Sequence, residues 1–216
     1  MTGSARSGAE VFLSPVAEYR GKRGLDLALA GIGLLVTAPL WPCIALAVRI
    51  ETTGPVLHRA IRVGRGGRTF TLLKFRSMRV GSGGPAVTAG SDARITRIGR
   101  LLRQTKLDEL PQLLNVLRGE MSLVGPRPED VRYVAFYSDA QRAVLGVRPG
   151  ITGAAAVAYR HEEAILAQAD DVERTYRCEV LPAKLALELS YLNDRGLMTD
   201  LRLIAQTLLA VFRRAT

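Results

Sequence analysis

The sequence predicts an α+β protein that is mostly α, with an N-terminal re-entrant membrane helix and a small cytoplasmic α-helical domain that contains a β-hairpin. Three observations carry this prediction. An apolar run over residues 25–48 contains two prolines just past its middle. Two β-rich runs flank a GRGG segment, which is typical of a hairpin. Most of the remaining sequence shows helical periodicity.

Length and composition limit the classes of protein that need to be considered. The chain has 216 residues, of which 48% are hydrophobic, so it is neither intrinsically disordered nor a small disulfide scaffold. A many-helix transporter is excluded because each span needs about 20 apolar residues. Residues 1–19 are predicted to be a flexible tail, residues 20–50 the membrane helix, and residues 51–216 one further domain.

Basic residues are concentrated in the first half of the chain. Residues 1–106 hold 17 Lys and Arg against 5 Asp and Glu, a net charge of +12, whereas residues 107–216 have a net charge of −2. Such a charge favours nucleic acid, an anionic membrane surface or a phosphorylated substrate as a partner. The two Cys and two His have no metal-ligand spacing, so no zinc site is predicted.

The apolar run LDLALAGIGLLVTAPLWPCIALAV leaves more than one topology open. As one helix it would extend roughly 36 Å, enough to cross a bilayer core. Pro39 and Pro42, which follow Ala38, interrupt it because each lacks a backbone N–H. Basic residues flank both ends, and such residues mark the cytoplasmic side. A re-entrant helix satisfies both flanks, whereas a kinked single span remains the alternative; a signal peptide or a buried soluble helix fits less well.

Several shorter elements follow the apolar run. The runs VLHRAIRV and RTFTLLKF form the predicted hairpin, and the glycine-rich residues 81–92 are predicted to be a mobile loop. ITRIGRLLRQTKL reads as a basic amphipathic helix suited to a membrane interface. DELPQLLNVLRGE predicts a short helix that stops at Gly119. A brief strand in MSLVGPRP and an RPGITG turn are also expected, and further helices are predicted near residues 129–145, 161–175, 180–194 and 199–213.

Two adjacent carboxylates, Asp108 and Glu109, are the main candidates for chemistry. In a structural interpretation, Asp108 is the N-cap of the following helix and Glu109 lies in its first turn. In a functional interpretation, a carboxylate at this place among arginines holds Mg²⁺ or attacks a phosphorus atom. Arg127 lies between Pro126 and Pro128, whose rings stiffen the backbone, and a guanidinium presented there suits phosphate or a solvated surface turn.

Taken together, these segments resemble the bacterial sugar transferases, the monotopic polyprenyl-phosphate phosphoglycosyl transferases. The resemblance runs from Lys22 to about Leu208, and its most specific block is LDELPQL with MSLVGPRP. The segments that carry it are KRGLDLALA, GPVLHRAIRVGRGGRTFTLLKFRSM, TRIGRLLRQTKLDELPQLLNVLRGEMSLVGPRPE, VRPGITG and LPAKLALELSYL. The four-helix N-terminal extension of larger members is not found, so the resemblance implies the minimal catalytic form.

The resemblance implies transfer of a sugar-1-phosphate from a UDP-sugar to polyprenyl (undecaprenyl) phosphate, with release of UMP, as the start of glycan assembly. It assigns Asp108 as the nucleophile that carries the phosphosugar, and Glu109 as its partner in Mg²⁺ binding or in handling the acceptor's proton. Arg103 and Arg127 would hold phosphates. Further phosphate contacts are implied for Lys74, Arg76 and Arg94. The implied location is the cytoplasmic face of the bacterial inner membrane.

Two positions depart from the family pattern. Ala38 stands where many members have Ser before the breaking proline, which removes a hydroxyl from the expected kink. Residues 154–160 read AAAVAYR in place of LAQVNGR, so contacts to sugar and nucleotide in that loop differ. The alternative function is a basic, membrane-attached nucleic-acid-binding or scaffold protein. Aromatic residues make up only 6% and no nucleic-acid-binding motif is present, so nucleic acid is not expected as a partner.

Overall fold

The computed structural model describes residues 17–81 and 92–215. Most of the predicted tail and the predicted loop at 81–92 therefore lie outside the described residues. The helices are α1 (Lys22–Thr37), α2 (Leu40–Glu51), α3 (Arg97–Thr105), α4 (Gln112–Arg118), α5 (Val131–Val134), α6 (Asp139–Arg142), α7 (Ala154–Ala158), α8 (Glu162–Leu166), α9 (Val172–Thr175), α10 (Leu181–Asp194) and α11 (Leu197–Ala215). The strands are β1 (Leu57–Val63), β2 (Thr69–Phe75), β3 (Ser122–Val124) and β4 (Gly150–Thr152). The chain is thus mostly helical, with two small sheets.

The apolar run forms two helices, α1 and α2, that meet at an angle of 63°. Pro39 and Pro42 have no N–H to donate, and the amide of Trp41 reaches the Ala38 carbonyl three residues back, at 3.2 Å. The Thr37 hydroxyl donates to the Gly33 carbonyl at 2.7 Å beside this break. Within the described residues, no single helix is long and apolar enough to cross a bilayer, but this bent pair passes by length and composition.

Two small apolar clusters fasten the bent pair to the rest of the chain. One lies under α1 and joins Ala30 to Leu72 of β2, Val116 of α4 and Met121. The other joins α2 to β2 and α3, and consists of Ile44, Val48, Phe75 and Leu102. The outer faces of the pair remain apolar and exposed at Ile32, Leu35, Val36, Leu40, Leu46 and Ile50.

The predicted hairpin is confirmed as the antiparallel pair of β1 and β2, in a register that places His58 opposite Lys74. Asn115 of α4 is fully buried and acts as a partner for the free edge of β2. Its side-chain oxygen accepts from the Leu73 amide at 3.1 Å, and its amide donates to the Thr71 carbonyl at 2.8 Å. These two hydrogen bonds from one side chain to the backbone of β2 fix α4 against the hairpin.

A short parallel pair, β3 and β4, forms the second sheet. The backbones approach so closely that a Cβ on Gly125 would lie 2.5 Å from the Arg148 carbonyl oxygen. Only glycine fits such an approach. The largest apolar cluster packs α10 and α11 behind this sheet, with Val124, Tyr133, Leu166, Leu185 and Leu203 among its members.

Some sequence predictions are confirmed and others are wrong. Helices close to the predicted bounds occur as α3, α4, α10 and α11, and α4 ends at Gly119 in a left-handed conformation. The helix predicted near 129–145 is instead α5, α6 and a 3₁₀ turn at Ala143–Gly146, because Ser138 starts a new helix with a capping box. The predicted RPGITG turn contains β4, and the segment near 161–175 is two short helices.

Candidate active site

Asp108 and Glu109 lie on a single 3₁₀ turn, Leu107–Glu109, between α3 and α4. The turn begins at Lys106, which adopts a left-handed conformation with φ of 58° and ends α3. This reversal of the chain turns both carboxylates away from solvent, and Asp108 is only 5% exposed. The N-cap interpretation of Asp108 is wrong: Pro111 occupies the N-cap position of α4, and no side chain caps that helix.

Glu109 is held by two cations that come from distant parts of the chain. Its Oε1 atom accepts from Lys74 Nζ of β2 at 3.2 Å and from Arg127 Nη2 at 3.2 Å. Burial alone would raise the pKa of Glu109, but the charges of Lys74, Arg127 and Lys106 lower it well below its usual range. The negative charge of Glu109 in turn raises the pKa of Arg127. Glu109 is therefore an ionised carboxylate with one oxygen already committed.

Asp108 has the opposite environment although it is the next residue. Burial, followed by the negative charge of Glu109, raises the pKa of Asp108, whereas the charges of Lys74, Lys106 and Arg103 oppose the rise. Its Oδ1 atom is buried and accepts no hydrogen bond within the part of the chain that the structure describes. A buried carboxylate oxygen without a donor is costly, and it marks a place where a ligand would supply the missing interaction.

Arg127 is presented from a rigid turn that follows β3. The turn is anchored to β4, since the Gly150 amide donates to the Pro126 carbonyl at 2.9 Å and the Gly125 amide donates to the Thr152 carbonyl at 2.9 Å. The predicted stiffness of the Pro-Arg-Pro segment thus acts together with backbone pairing. The result is a guanidinium that reaches back to Glu109 across 18 residues of sequence.

Helix α1 supports both sides of the dyad through three polar residues. Lys22 Nζ donates to the Val124 carbonyl of β3 at 3.0 Å and pairs with Asp200 of α11 at 2.6 Å. Asp26 Oδ1 accepts from the Ser122 hydroxyl and from the Leu123 amide, both at 3.0 Å. Arg23 donates to two carbonyls, of Val116 and Leu117, at the end of α4. These contacts join the apolar helix to β3, which leads to the turn that holds Arg127, and to α4, which follows Asp108.

A cleft of about 1770 Å³ runs past the dyad, and all seven predicted site residues line it. These residues lie on β2 or directly after it, before α3, on α3, on the 3₁₀ turn and on the turn after β3. The residues are Lys74, Arg76, Arg94, Arg103, Asp108, Glu109 and Arg127. Most of the charged side chains that line the cleft are basic, so the cleft attracts anions.

Three of the predicted arginines have partners other than the dyad. The Arg103 guanidinium forms an ion pair with Glu163 of α8. Arg94 forms a bidentate ion pair with Asp92, in which Nη2 lies 2.5 Å from Oδ2. Arg76 is buried, and its terminal nitrogens donate to carbonyls at the end of α2, those of Val48, Thr52 and Thr53. Arg76 therefore caps α2 from the cleft wall, which differs in kind from the phosphate contact that the resemblance implied.

Sequence reasoning missed several polar residues of the cleft. Gln112, in the first turn of α4, is 2% exposed and lines the cleft. Lys184 of α10 pairs with Glu162 at 2.8 Å, and Tyr176 donates to Glu129 at 2.5 Å. Glu129, Gln112 and Lys184 all lie inside the segments that carry the family resemblance, so the signal was present, but no local pattern distinguished them from structural residues.

The site is thus a cleft with two carboxylates among fixed cations, beside a bent apolar helix pair, and this arrangement of charge favours anionic ligands. The chain belongs to the bacterial sugar transferase family, whose model matches residues 17–214.

Curated relatives show which substrates such proteins are named for. A UDP-glucose:undecaprenyl-phosphate glucose-1-phosphate transferase of Caulobacter vibrioides is 39% identical over 201 residues, covering 90% of this chain and 71% of that protein. The Escherichia coli protein of the same name is 36% identical over 88% of this chain and 40% of its own length. A UDP-N-acetylgalactosamine-undecaprenyl-phosphate N-acetylgalactosaminephosphotransferase of Aeromonas hydrophila is 35% identical over 87% of this chain. The chain spans about two fifths of the latter two relatives.

Proposed function

We propose that the chain transfers a sugar-1-phosphate from a UDP-sugar to a polyprenyl phosphate through a covalent intermediate on Asp108. The observation that carries this proposal is the buried Asp108 oxygen without a donor, beside a Glu109 held by Lys74 and Arg127. Family membership and the names of the relatives supply the substrate class. The relatives are named for different sugars at similar identity, so the sugar is to be determined with a panel of UDP-sugars.

The reaction balances in two displacement steps. An Asp108 oxygen attacks the β-phosphorus, the bond from that phosphorus to the bridging oxygen breaks, and UMP leaves with the electron pair. An oxygen of the polyprenyl phosphate then attacks the same phosphorus, and the bond to Asp108 breaks to regenerate the carboxylate. Covalent transfer lets a soluble donor and a lipid acceptor use one site in turn.

The charges of the cleft suit this chemistry because one anion must attack another. Arg127 and Lys74, already oriented by Glu109, present positive charge near the position of the diphosphate. Arg103 lies on α3 along the same cleft, and its partner Glu163 is half-exposed, so phosphate oxygens can compete for its guanidinium. The lowered pKa of Glu109 makes it a weak base, which favours a role in positioning cations over a role in taking up a proton.

Magnesium fits the dyad as a cofactor. Within residues 17–81 and 92–215 there is no cluster of three His, Cys, Asp or Glu side chains that could hold a metal ion alone. Mg²⁺ is usually bound by one or two carboxylates together with substrate phosphates, and Asp108 and Glu109 are such a pair. Bound there, it would neutralise phosphate charge during transfer.

The bent helix pair is proposed to enter the cytoplasmic leaflet and return. The faces of α1 and α2 are apolar and exposed around the bend, whereas the cleft and both ends of the pair are rich in arginine. An acceptor phosphate at the membrane surface would then lie at the depth of the dyad. Membrane lipids are the remaining proposed partner, and the proposed location is the inner membrane.

The test is release of UMP from UDP-sugars in the presence of polyprenyl phosphate and Mg²⁺, comparing the parent chain with Asp108→Asn. We expect the variant to lose activity by at least a factor of about 10³, since an amide cannot form the acyl phosphate. Incubation of the parent with UDP-sugar alone should give a mass increase of one phosphosugar on the peptide that contains Asp108. Asp139→Asn, at an exposed carboxylate on α6 outside the cleft, is the matched control. Full activity of Asp108→Asn would contradict the nucleophile assignment.

A further inference from the structure

Gln112 combines two features that rarely occur together in a folded protein. It is 2% exposed, and its side-chain nitrogen Nε2 is buried with no hydrogen-bond partner among the described residues. Buried amide donors are almost always satisfied, because an unmade hydrogen bond in a protein interior costs free energy. Gln112 also lines the cleft, so its amide lies in the wall against which a ligand would bind.

Gln112 follows the proposed nucleophile by four residues and lines the same cleft. After the 3₁₀ turn, Leu110 and Pro111 continue in right-handed helical conformation into α4. Neither the buried Asp108 Oδ1 nor Gln112 Nε2 has a hydrogen-bond partner in the described part of the chain. One buried acceptor and one buried donor on the wall of one cleft are thus left without partners.

A phosphoryl group satisfies both atoms at once. Its phosphorus is the electrophile for the Asp108 oxygen, and its non-bridging oxygens are acceptors for an amide N–H. The neighbouring cations do not supply this contact in the same way, since Lys74 and Arg127 are bound to Glu109. A neutral donor is suited to the place, because a cation one turn from Asp108 would pair with the carboxylate and weaken it as a nucleophile.

We propose that Gln112 is a catalytic residue whose Nε2 amide donates to a non-bridging oxygen of the phosphoryl group during its transfer to and from Asp108. This inference rests on the proposed function. Negative charge on those oxygens is held most strongly when the donor is already oriented, and the buried amide of Gln112 has that property. The contact strengthens in the transition state, so it should act on kcat more than on KM.

The experiment measures UMP release by the full chain in detergent or lipid nanodiscs, comparing the parent with Gln112→Leu and Gln112→Glu. Gln168 provides the matched control, because it is exposed just after α8 and lies outside the cleft lining, so Gln168→Leu should keep the parental kcat. We expect Gln112→Leu to lower kcat on the order of 10²-fold, with KM for the UDP-sugar changed only a few-fold. Gln112→Glu should lose at least as much, since a third carboxylate in the site would repel both Asp108 and the phosphoryl group.

A sulfur-substituted substrate separates a hydrogen-bond donor from a packing residue. A UDP-sugar with a non-bridging β-oxygen replaced by sulfur is a poorer acceptor, so the parent should slow more than Gln112→Leu does. Equal slowing of both proteins for each diastereomer would overturn the proposal, as would a kcat within three-fold of the parent for Gln112→Leu. If Gln112→Leu does not fold, Gln112→Glu decides in the same way, with its thermal unfolding midpoint compared with that of the parent.

Different results would contradict the transfer reaction and the role of Gln112 in it. Absence of UMP release by the parent with every UDP-sugar and acceptor would contradict the proposed function itself. An active parent with an equally active Gln112→Leu variant would leave the proposed function in place and would remove Gln112 from it.

Discussion

Adjacent carboxylates take different roles when their surroundings differ, and Asp108 and Glu109 illustrate the rule. Glu109 shares Oε1 between Lys74 and Arg127, and the pKa of Glu109 is lowered by those charges although burial opposes the change. Asp108 has lost water without gaining a donor on Oδ1, and the pKa of Asp108 is raised. One residue therefore organises the cations, and the other keeps a buried oxygen without a donor among the described residues.

A third carboxyl group, Glu188 of α10, lies behind the site and gives the protein a dependence on pH. Its Oε1 accepts from the Ala155 amide of α7 at 3.1 Å, and its Oε2 is buried without a partner among the described residues. The backbone amide of Arg127 and the positive charges of Lys184 and Arg127 also act on this carboxyl group. Burial raises the pKa of Glu188 from 4.5 to about 7, and the surrounding donors and charges only partly offset this.

The sign of the effect follows from where the proton is held. The unfolded chain releases it near pH 4.5, but the folded chain keeps it up to about pH 7, so stability falls as the pH rises between these values. The loss is complete above pH 7 and amounts to about 3 kcal/mol. Glu188→Gln has no proton to lose, so its free energy of unfolding relative to the parent should rise by about that amount between pH 4.5 and pH 8. Denaturant unfolding in one detergent, at pH values from 4.5 to 8, measures the difference.

An exposed carboxylate on the preceding turn supplies the control for this experiment. Glu179→Gln should leave the pH profile of the parent unchanged, because Glu179 is exposed to solvent. Parallel profiles for the parent and Glu188→Gln would show that Glu188 is ionised in both states across this range, contrary to the expectation.

At the level of elements, helix α1 holds β3, which precedes Arg127, in place relative to α4, which follows the dyad. Asp26 accepts two hydrogen bonds from β3, and Arg23 holds the last turn of α4. Asp26→Ala would leave the buried Ser122 hydroxyl and Leu123 amide without their acceptor, at a cost of about 3 kcal/mol in the free energy of unfolding. Because β3 leads directly to Arg127, kcat should also fall, by about ten-fold.

The matched variant for this prediction is Asp26→Asn, which keeps one side-chain oxygen for the same two donors. It should retain more stability and more activity than Asp26→Ala. Unfolding in detergent and UMP release, measured on the same preparations, test both expectations. An Asp26→Ala variant as stable as Asp26→Asn would mean that these buried contacts do not hold α1 on β3.

Local signals in the sequence predicted those elements whose cause is local. The hairpin follows from β-rich runs and glycines close together, and α4 ends where Gly119 permits a left-handed residue. By contrast, β4 is three residues long and exists because β3 pairs with it from 28 residues away, so no periodicity revealed it. The start of α6 was visible in principle, since Ser138 and Gln141 have capping-box spacing.

For the site, local pattern and family resemblance contributed differently. The local sequence was compatible with Asp108 as the N-cap of α4 and with Asp108 as a nucleophile. The folded chain removes the first interpretation, because Pro111 occupies the N-cap position. The resemblance named seven residues that do line one cleft, although Arg76 is occupied with the end of α2. Glu109 meets Lys74 and Arg127 through contacts over 35 and 18 residues, which no local pattern specifies.

On the scale of the whole molecule, the bent helix pair combines exposed apolar surface with basic residues at its ends. Residues 1–106 carry a net charge of +12, and of their described basic side chains Lys74, Arg76 and Arg103 are among those that line the cleft. The apolar faces near the bend include Leu35 and Val36, which are more than 70% exposed. A surface of this kind is costly in water, so its burial in lipid is expected to anchor the chain by the hydrophobic effect in addition to charge.

The topology of the bent pair can be tested by cysteine labelling at its two ends. Cys43 and Cys178 are exposed, so both are first replaced by Ser. Arg20→Cys and Thr53→Cys then place one exposed thiol before α1 or after α2. In spheroplasts treated with a membrane-impermeant maleimide, re-entry predicts that neither site is labelled until the membrane is permeabilised.

A kinked single span predicts instead that one of the two sites is labelled in intact spheroplasts, and that result would contradict re-entry. The mode of attachment gives an independent measurement. Electrostatic binding is screened at 1 M salt, where the Debye length is about 3 Å, whereas burial of apolar surface is not weakened by salt. The chain should therefore stay with the membrane pellet in 1 M NaCl and be released by detergent, and release by salt alone would mean that α1 and α2 do not enter the lipid.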